Sequence, residues 1–116
     1  MMTLKIYHNP RCSKSRQTLA LLLEHGHDPE IVQYLNDVPS EAQIKSLIKM
    51  LGFSTARGLM RKSEQAYKDL GLKGVDDEAI LVKAMSENPK LIERPIVVKN
   101  GKAALGRPPE NVLTLF

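Results

Sequence analysis

The sequence is poor in the residues that make disulfides, zinc sites and stacking platforms. Its 116 residues include one cysteine, no tryptophan, three tyrosines and two phenylalanines. One cysteine cannot form an internal disulfide, and without a cysteine cluster a zinc site is not expected. So few aromatic side chains give no surface on which bases could stack. The sequence therefore predicts no metal and no nucleic-acid partner.

Long apolar runs are missing as well. The N-terminal sequence MMTLKIYHNP has no apolar stretch of signal-peptide length, and no later segment approaches the ~20 apolar residues that cross a membrane. We therefore expect a cytoplasmic protein with no membrane partner. The formal net charge is +4, and the lysines and arginines are spread along the chain. This pattern favours an ordinary solvated surface, which can also steer a small anion.

The N-terminal pattern predicts a strand, a helix and a second strand in a single domain, 1–116. Residues 3–8 alternate as in a strand, a helical pattern runs from Cys12 to Gly26, and EIVQYL follows as the second strand. Such a βαβ unit has parallel strands. The apolar positions of the helix are Leu19, Leu22 and Leu23.

The middle of the chain is predicted to be helical. Ser40 and Gln43 have the spacing of a capping box, and Gly52 ends the helix that follows. Another helix, with Asn88-Pro89 as its stop, carries Ile80, Leu81 and Ala84. The further N-caps are expected at Ser54, at Ser63 and at Asp76 or Asp77.

The C-terminal part reads as a hairpin followed by a helix. PIVV and KAAL flank Asn100-Gly101, a strong hairpin-turn signal, and Pro108-Pro109 can open a final helix. A two-residue turn would place Arg94 opposite Arg107. The N-terminal βαβ and the C-terminal ββα together match an α/β, thioredoxin-like fold with an inserted helical segment.

Cys12 lies where the first strand gives way to the first helix, which suits thiol chemistry. Helix N-termini favour negative charge and lower the pKa of a thiol. Its surroundings in HNPRCSKSR are polar, and the Ser15 hydroxyl could donate to a thiolate, whereas a structural cysteine would have apolar neighbours. Cys12 is therefore the predicted nucleophile. Because Ser15 stands where a C-x-x-C motif has its second cysteine, an oxidised Cys12 needs an external thiol.

His8 and three arginines are the other candidates. A protonated His8 would lower the thiol pKa by its charge, but it could equally be a loop histidine bonded to backbone. Arg94 and Arg107 would form a clamp for an anion, unless the two strands separate before reaching them. Arg61, in GLMRKSE, has weaker support and reads as a cation near a helix end.

Three groups of residues resemble the arsenate reductase family that works with glutathione and glutaredoxin. These groups are HNPRCSKSR, RGLMRK with YKDLGL, and NPKLIERPIVV with GRPPE, in the order of the family. The resemblance implies the thioredoxin-like fold with its helical insert. It also implies that Cys12 attacks arsenate and that His8 and Ser15 favour its thiolate. The oxyanion would be bound by Arg61, Arg94 and Arg107.

The resemblance has further implications for the chemistry and the partners. It implies a cis peptide bond before Pro95, no tightly bound cofactor, glutathione as co-substrate and glutaredoxin as protein partner. Resistance-type members usually have Ala-Cys-Gly-Thr-Ser where this chain has RCSKS at 11–15. Because this loop differs, two alternatives stay open. One is a general glutathione-dependent thiol oxidoreductase, and the other is a redox-linked regulatory binding protein of the same superfamily.

Overall fold

A four-stranded sheet organises the first of two units in the chain. The computed structural model describes residues 4–116, and this unit consists of the described residues up to Asp37 together with Arg94–Phe116. The strands lie in the order β2-β1-β3-β4, with β1 parallel to β2 and the other pairs antiparallel. This βαβ plus ββα arrangement confirms the predicted thioredoxin-like fold. The strands are β1 (Leu4–Tyr7), β2 (Glu30–Val32), β3 (Ile96–Lys99) and β4 (Lys102–Leu105).

Helix α1 (Ser13–Glu24) connects the two parallel strands and packs into the core of this unit. Cys12 is its N-cap residue, and the chain leaves the helix through Gly26, which has a φ of 80°. Leu22 is fully buried, whereas Leu23, an apolar position of the same helical pattern, is 53% exposed. The helix turns Ser15 and Thr18 inward instead. The core consists of Ile6, Leu22, Val97, Ala104 and Val112.

The C-terminal hairpin has the register that the sequence predicts. Lys99 pairs with Lys102 across a turn in which Asn100 and Gly101 both have positive φ angles, 50° and 83°. The ladder ends where Ile96 pairs with Leu105. The residues that follow form a 3₁₀ helix, Pro109–Leu115, rather than the predicted α-helix.

The second unit, Val38–Glu93, is helical. Helix α2 (Glu41–Leu51) packs against α4 (Glu78–Glu87). The predicted capping box is confirmed, because the Ser40 hydroxyl accepts from the Gln43 N–H at 3.2 Å and the Gln43 side chain accepts from the Ser40 N–H at 2.8 Å. Its other helical segments are α3 (Gln65–Asp69) and the 3₁₀ helices Ala56–Leu59, Leu72–Gly74 and Pro89–Leu91.

Several details of this unit differ from the sequence prediction. The N-caps expected at Ser54 and Ser63 were wrong by one residue, since Thr55 and Glu64 hold those positions, while the cap at Asp77 is confirmed. Ile80 is 50% exposed, because it does not lie on the face of α4 that is buried. These buried residues are Leu81, Val82, Ala84 and Met85.

Part of the predicted first strand lies outside the residues that the structure describes. Thr3, at the start of the predicted first strand, lies outside the described residues. The second strand ends at Val32 rather than near Leu35. Within residues 4–116, no helix is long and apolar enough to cross a membrane. The single domain 1–116 stays a prediction.

Candidate active site at Cys12

The loop before α1 is folded around the Cys12 backbone. The Cys12 N–H donates to the carbonyl of Asn9 at 3.0 Å, and the Arg11 N–H donates to the Asn9 side-chain oxygen, also at 3.0 Å. The Asn9 N–H in turn points to the hydroxyl of the fully buried Ser15 at 3.4 Å. Asn9 therefore holds the turn that delivers Cys12 to the start of the helix, where Cys12 is 9% exposed.

The surroundings of Cys12 favour its thiolate. Burial by itself raises the pKa of the thiol, but the Ser15 N–H and the positive charge of Arg94 lower it. The Ser15 hydroxyl and the Lys14 N–H lower it further, and the sum leaves the pKa of Cys12 below its ordinary value. Two of these groups are first-turn N–H groups of α1, as the helix-start argument requires. Cys12 is a free cysteine, and a lowered pKa increases its share of thiolate, the nucleophilic form of the thiol.

Two arginines from the end of the β3–β4 hairpin belong to this site. Beyond the last ladder pair, the Gly106 N–H donates to the Pro95 carbonyl at 2.9 Å, which carries the register one step further. At the next step, the Nε of Arg107 donates to the Arg94 carbonyl at 2.8 Å. The Nη2 of Arg107 lies 3.8 Å from Cys12 Sγ. The structure thus brings Cys12, Arg94 and Arg107 together.

Pro95 and Gly106 fix the path of the chain beside the thiol. The Arg94-Pro95 peptide bond is cis, which confirms the expectation, and the Arg107-Pro108 bond is cis as well. A Cβ atom on Gly106 would lie 2.3 Å from Thr18 Oγ1 and 2.7 Å from Pro95 Cγ. Only glycine therefore lets the hairpin pass this closely to α1 and Pro95.

His8 is buried at the end of β1, with 6% of its surface exposed. Burial, and then the charge of Arg16, lowers the pKa of its imidazole, so the neutral form is favoured. This direction opposes the protonated His8 that the sequence interpretation invoked. Its backbone N–H donates to the Val32 carbonyl at 2.9 Å, while its Nδ1 has no hydrogen-bond partner among the described residues.

Arg61 lies in the second unit and is engaged by two carboxylates. Its Nη1 is 3.1 Å from Glu64 and its Nε is 3.6 Å from Glu93, with about a quarter of the side chain exposed at 24%. Its backbone N–H donates to the Leu91 carbonyl at 2.7 Å. These contacts hold Arg61 in place within the unit, and its predicted role in oxyanion binding stays a prediction.

Comparison with known proteins shows the family of the chain. The model of the ArsC family matches residues 7–115. The chain belongs to the ArsC family. It is 57% identical to the uncharacterized protein YfgD of Escherichia coli K12, over 96% of this chain and 94% of that one. It is 49% identical to the arsenate reductase of Haemophilus influenzae, over 99% and 100% of the two chains.

A solved structure extends this family likeness to the fold. The arsenate reductase from Vibrio cholerae superposes with a TM-score of 0.96 at 50% identity, covering 99% of this chain and 98% of that one. The thioredoxin-like fold with its helical insert is therefore the fold of this ArsC family member.

The sequence analysis did not single out two residues that shape the backbone around Cys12. Asn9 forms the turn before Cys12, and the Asn-Pro pair at 9–10 is a turn signal that could have indicated it. Gly106 is required by the close approach of Thr18 and Pro95, which no local sequence pattern indicates.

Among residues 4–116, no three His, Cys, Asp or Glu side chains cluster in a way that would hold a metal ion.

Proposed function

We propose that this ArsC family member is an arsenate reductase whose nucleophile is Cys12. The observation that carries the proposal is the geometry at the sulfur, where a thiol with a lowered pKa lies 3.8 Å from an arginine guanidinium. A thiolate beside a guanidinium fork suits attack on an oxyanion, because the fork can hold the oxygens of the reacting group. Relatives that match the chain over nearly its full length are named arsenate reductases, which supports arsenate as the substrate.

The first step forms a covalent adduct. The Cys12 thiolate attacks the arsenic of arsenate, a sulfur–arsenic bond forms, and one oxygen leaves as water after protonation. Arg94 and Arg107 offset the negative charge of the oxyanion, and the first-turn N–H groups of α1 can donate to its oxygens. No change of oxidation state has occurred at this stage.

The second step transfers two electrons and needs a thiol from outside the chain. A glutathione thiolate attacks the adduct, a sulfur–sulfur bond forms with Cys12, and the sulfur–arsenic bond breaks with its electron pair staying on arsenic. Arsenite leaves, and a mixed disulfide of Cys12 and glutathione remains. The chain has one cysteine, so this disulfide is opened by another thiol, for which we propose glutaredoxin. The cytoplasm is the compartment in which such thiols stay reduced.

A single-turnover experiment tests this mechanism. Enzyme is mixed with arsenate and glutathione without glutaredoxin, and the protein is weighed by mass spectrometry while arsenite is quantified. We expect one arsenite and one glutathione per chain, with the glutathione on Cys12, and sustained turnover once glutaredoxin is added. Cys12→Ser should give neither product. Arsenite release with unmodified Cys12, or turnover without any added thiol, would reject the proposal.

A parallel assay separates the general thiol oxidoreductase from the arsenate reductase. A small glutathione mixed disulfide replaces arsenate, with the same thiol donors and the same Cys12→Ser control. An arsenate reductase should turn over arsenate far more efficiently than the disulfide. The reverse preference would favour the oxidoreductase.

A further inference from the structure

A polar cleft lies at the carboxyl ends of the two parallel strands, beside the loop that leads to Cys12. It has a volume of about 260 Å³ and is formed by residues that follow β1 and residues that follow β2. Ligands commonly bind outside the carboxyl ends of parallel strands, because loops meet there and backbone groups are open. The lining residues are His8, Asn9, Pro10, Arg11, Gln33, Leu35 and Asn36.

One of the residues that line this cleft is a buried histidine with an unsatisfied ring nitrogen. His8 lines the cleft, its side chain is 6% exposed, and its Nδ1 has no partner among the described residues. A buried polar atom without a hydrogen bond costs roughly 1–3 kcal/mol, which a bound ligand could recover. The lowered pKa of the imidazole keeps it neutral and able to donate or accept.

The other side chains of the cleft suit a ligand with amide and carboxylate groups. Asn36 Nδ2 lies 3.4 Å from Gln33 Oε1, a contact that does not use the Gln33 amide hydrogens or the Asn36 oxygen. These atoms can pair with a peptide group, as can the carboxamide of Asn9. The exposed guanidinium of Arg11 is a fork for a carboxylate. Together they match a small peptide acid.

The position of the cleft fits a molecule that reacts at Cys12. Strand β1, which leads to Cys12, lies between β2 and β3 in the sheet. The cleft belongs to the β2 side, whereas Arg94 and Arg107 come from the β3–β4 hairpin on the other side. Displacement at sulfur requires the incoming thiol to approach opposite the leaving arsenic. An oxyanion on the arginine side therefore leaves the cleft side for the thiol.

We infer that this cleft binds the amino-acid end of the small peptide thiol that attacks the Cys12 adduct. The inference rests on the proposed function for the reaction that the thiol performs, but not for the binding itself. In this arrangement Arg11 holds a carboxylate of the peptide, the carboxamides hold its amide groups, and His8 Nδ1 gains its missing partner. The thiol of the bound peptide is then directed towards Cys12, the residue that follows Arg11 in the chain.

Binding is tested without turnover by titrating reduced, ¹⁵N-labelled protein with S-methylglutathione, which has no thiol. We expect saturable amide shift changes in Asn9, in Arg11 and in residues 33–36. Gln33→Ala and Asn36→Ala should each weaken binding about threefold to tenfold. Gln65→Ala is the matched control, because Gln65 is also exposed and also bonds a nearby side chain, at 2.8 Å to Asp69. It should bind like the wild type.

Kinetics give a second reading of the same variants. Gln33→Ala should raise the KM for glutathione and leave the KM for arsenate unchanged. Shift changes confined to residues 94–107, wild-type affinity in both cleft variants, or no binding at millimolar S-methylglutathione would overturn the inference. Cleft binding in a protein that does not reduce arsenate would support the cleft and reject the proposed function, so the two failures are distinguishable.

Discussion

Arg57 and Arg107 have the same guanidinium group but different hydrogen-bond partners. In the second unit, Arg57 donates to the Tyr67 hydroxyl at 2.6 Å, to the Leu72 carbonyl at 3.0 Å and to the Val75 carbonyl. In the first unit, Arg107 is exposed, holds the Arg94 carbonyl with its Nε and extends its Nη2 towards a thiol. Arg57 ties loops together, whereas Arg107 presents a donor where a substrate can reach it.

The contacts of each guanidinium distinguish structural from functional arginines in this chain. Arg57 has neutral acceptors supplied by its own unit, and Arg61 has carboxylates from its own unit. At Cys12, by contrast, the positive charge of Arg94 stabilises the thiolate, the form of the side chain that reacts. A guanidinium that stabilises a developing charge is a mark of an active site, and one that closes a loop is a mark of packing.

Replacing Arg107 tests the functional role of a guanidinium beside Cys12. Arg107→Ala should lower kcat/KM for arsenate by about 10²–10³-fold, because a donor to the oxyanion is lost. Arg94→Ala should have a similar effect, and the double variant should lose less than the product of the two, since both side chains act on one ligand. Arg107→Lys keeps the charge but not the fork and should fall between. Strictly multiplicative losses would show that the two arginines do not share a ligand.

Replacing Arg57 tests the structural end. Arg57→Ala leaves the Leu72 and Val75 carbonyls without this donor, so we expect a loss of about 2–3 kcal/mol in the free energy of unfolding. Urea denaturation measures it, and kcat/KM per folded molecule should stay unchanged. Lys62→Ala, an exposed cation nearby in sequence, should change stability by less than about 0.5 kcal/mol. A stable but inactive Arg57→Ala would break the distinction.

In both regions the sequence predicts features that depend on neighbouring residues better than it predicts burial. Local signals were sufficient for the capping box at Ser40, the turn at Asn100-Gly101 and the hairpin register, because each depends on a few neighbouring residues. The N-cap at Thr55 was displaced by one residue because adjacent Ser and Thr are equivalent caps by local chemistry. Leu23 and Ile80 lie in helices as predicted but are exposed, because the residues that pack on a short helix decide which of its apolar positions are buried.

At the candidate site, the sequence predicts the identity of the residues better than the contacts between them. The position of Cys12 and the pairing that leads to Arg94 and Arg107 follow from pattern and register. The contact of Arg107 with Sγ and the need for glycine at 106 depend on atoms far apart in the chain. The neutral state of His8 depends on burial, which composition does not reveal.

Gly106 offers a stability test of the functional region. Gly106→Ala places a methyl group against Thr18 and Pro95, so we expect a loss of about 1–3 kcal/mol by thermal or urea unfolding. Gly74→Ala is the matched control in the second unit, because a Cβ there meets nothing within 4 Å. It should change stability by less than about 0.5 kcal/mol. Equal effects of the two substitutions would show that the close approach at Gly106 is not required.

The smallest expected effect concerns how the pKa of Cys12 is shared among its neighbours. Iodoacetamide alkylation rises with pH as the thiolate forms, and its midpoint in the wild type should lie below that of a free cysteine. Arg94→Ala removes a positive charge and should shift the midpoint to higher pH. Ser15→Ala should shift the midpoint in the same direction but less, because the side-chain hydroxyl lowers the pKa less than the Arg94 charge does. The Ser15 N–H, which lowers it more, remains in the variant.

Alanine at position 15 also removes the acceptor of the long Asn9 N–H contact, so the loop conformation is checked by comparing amide spectra. With the loop intact, a larger shift in Ser15→Ala than in Arg94→Ala would mean that the hydroxyl, and not the guanidinium charge, is the main side-chain support of the thiolate.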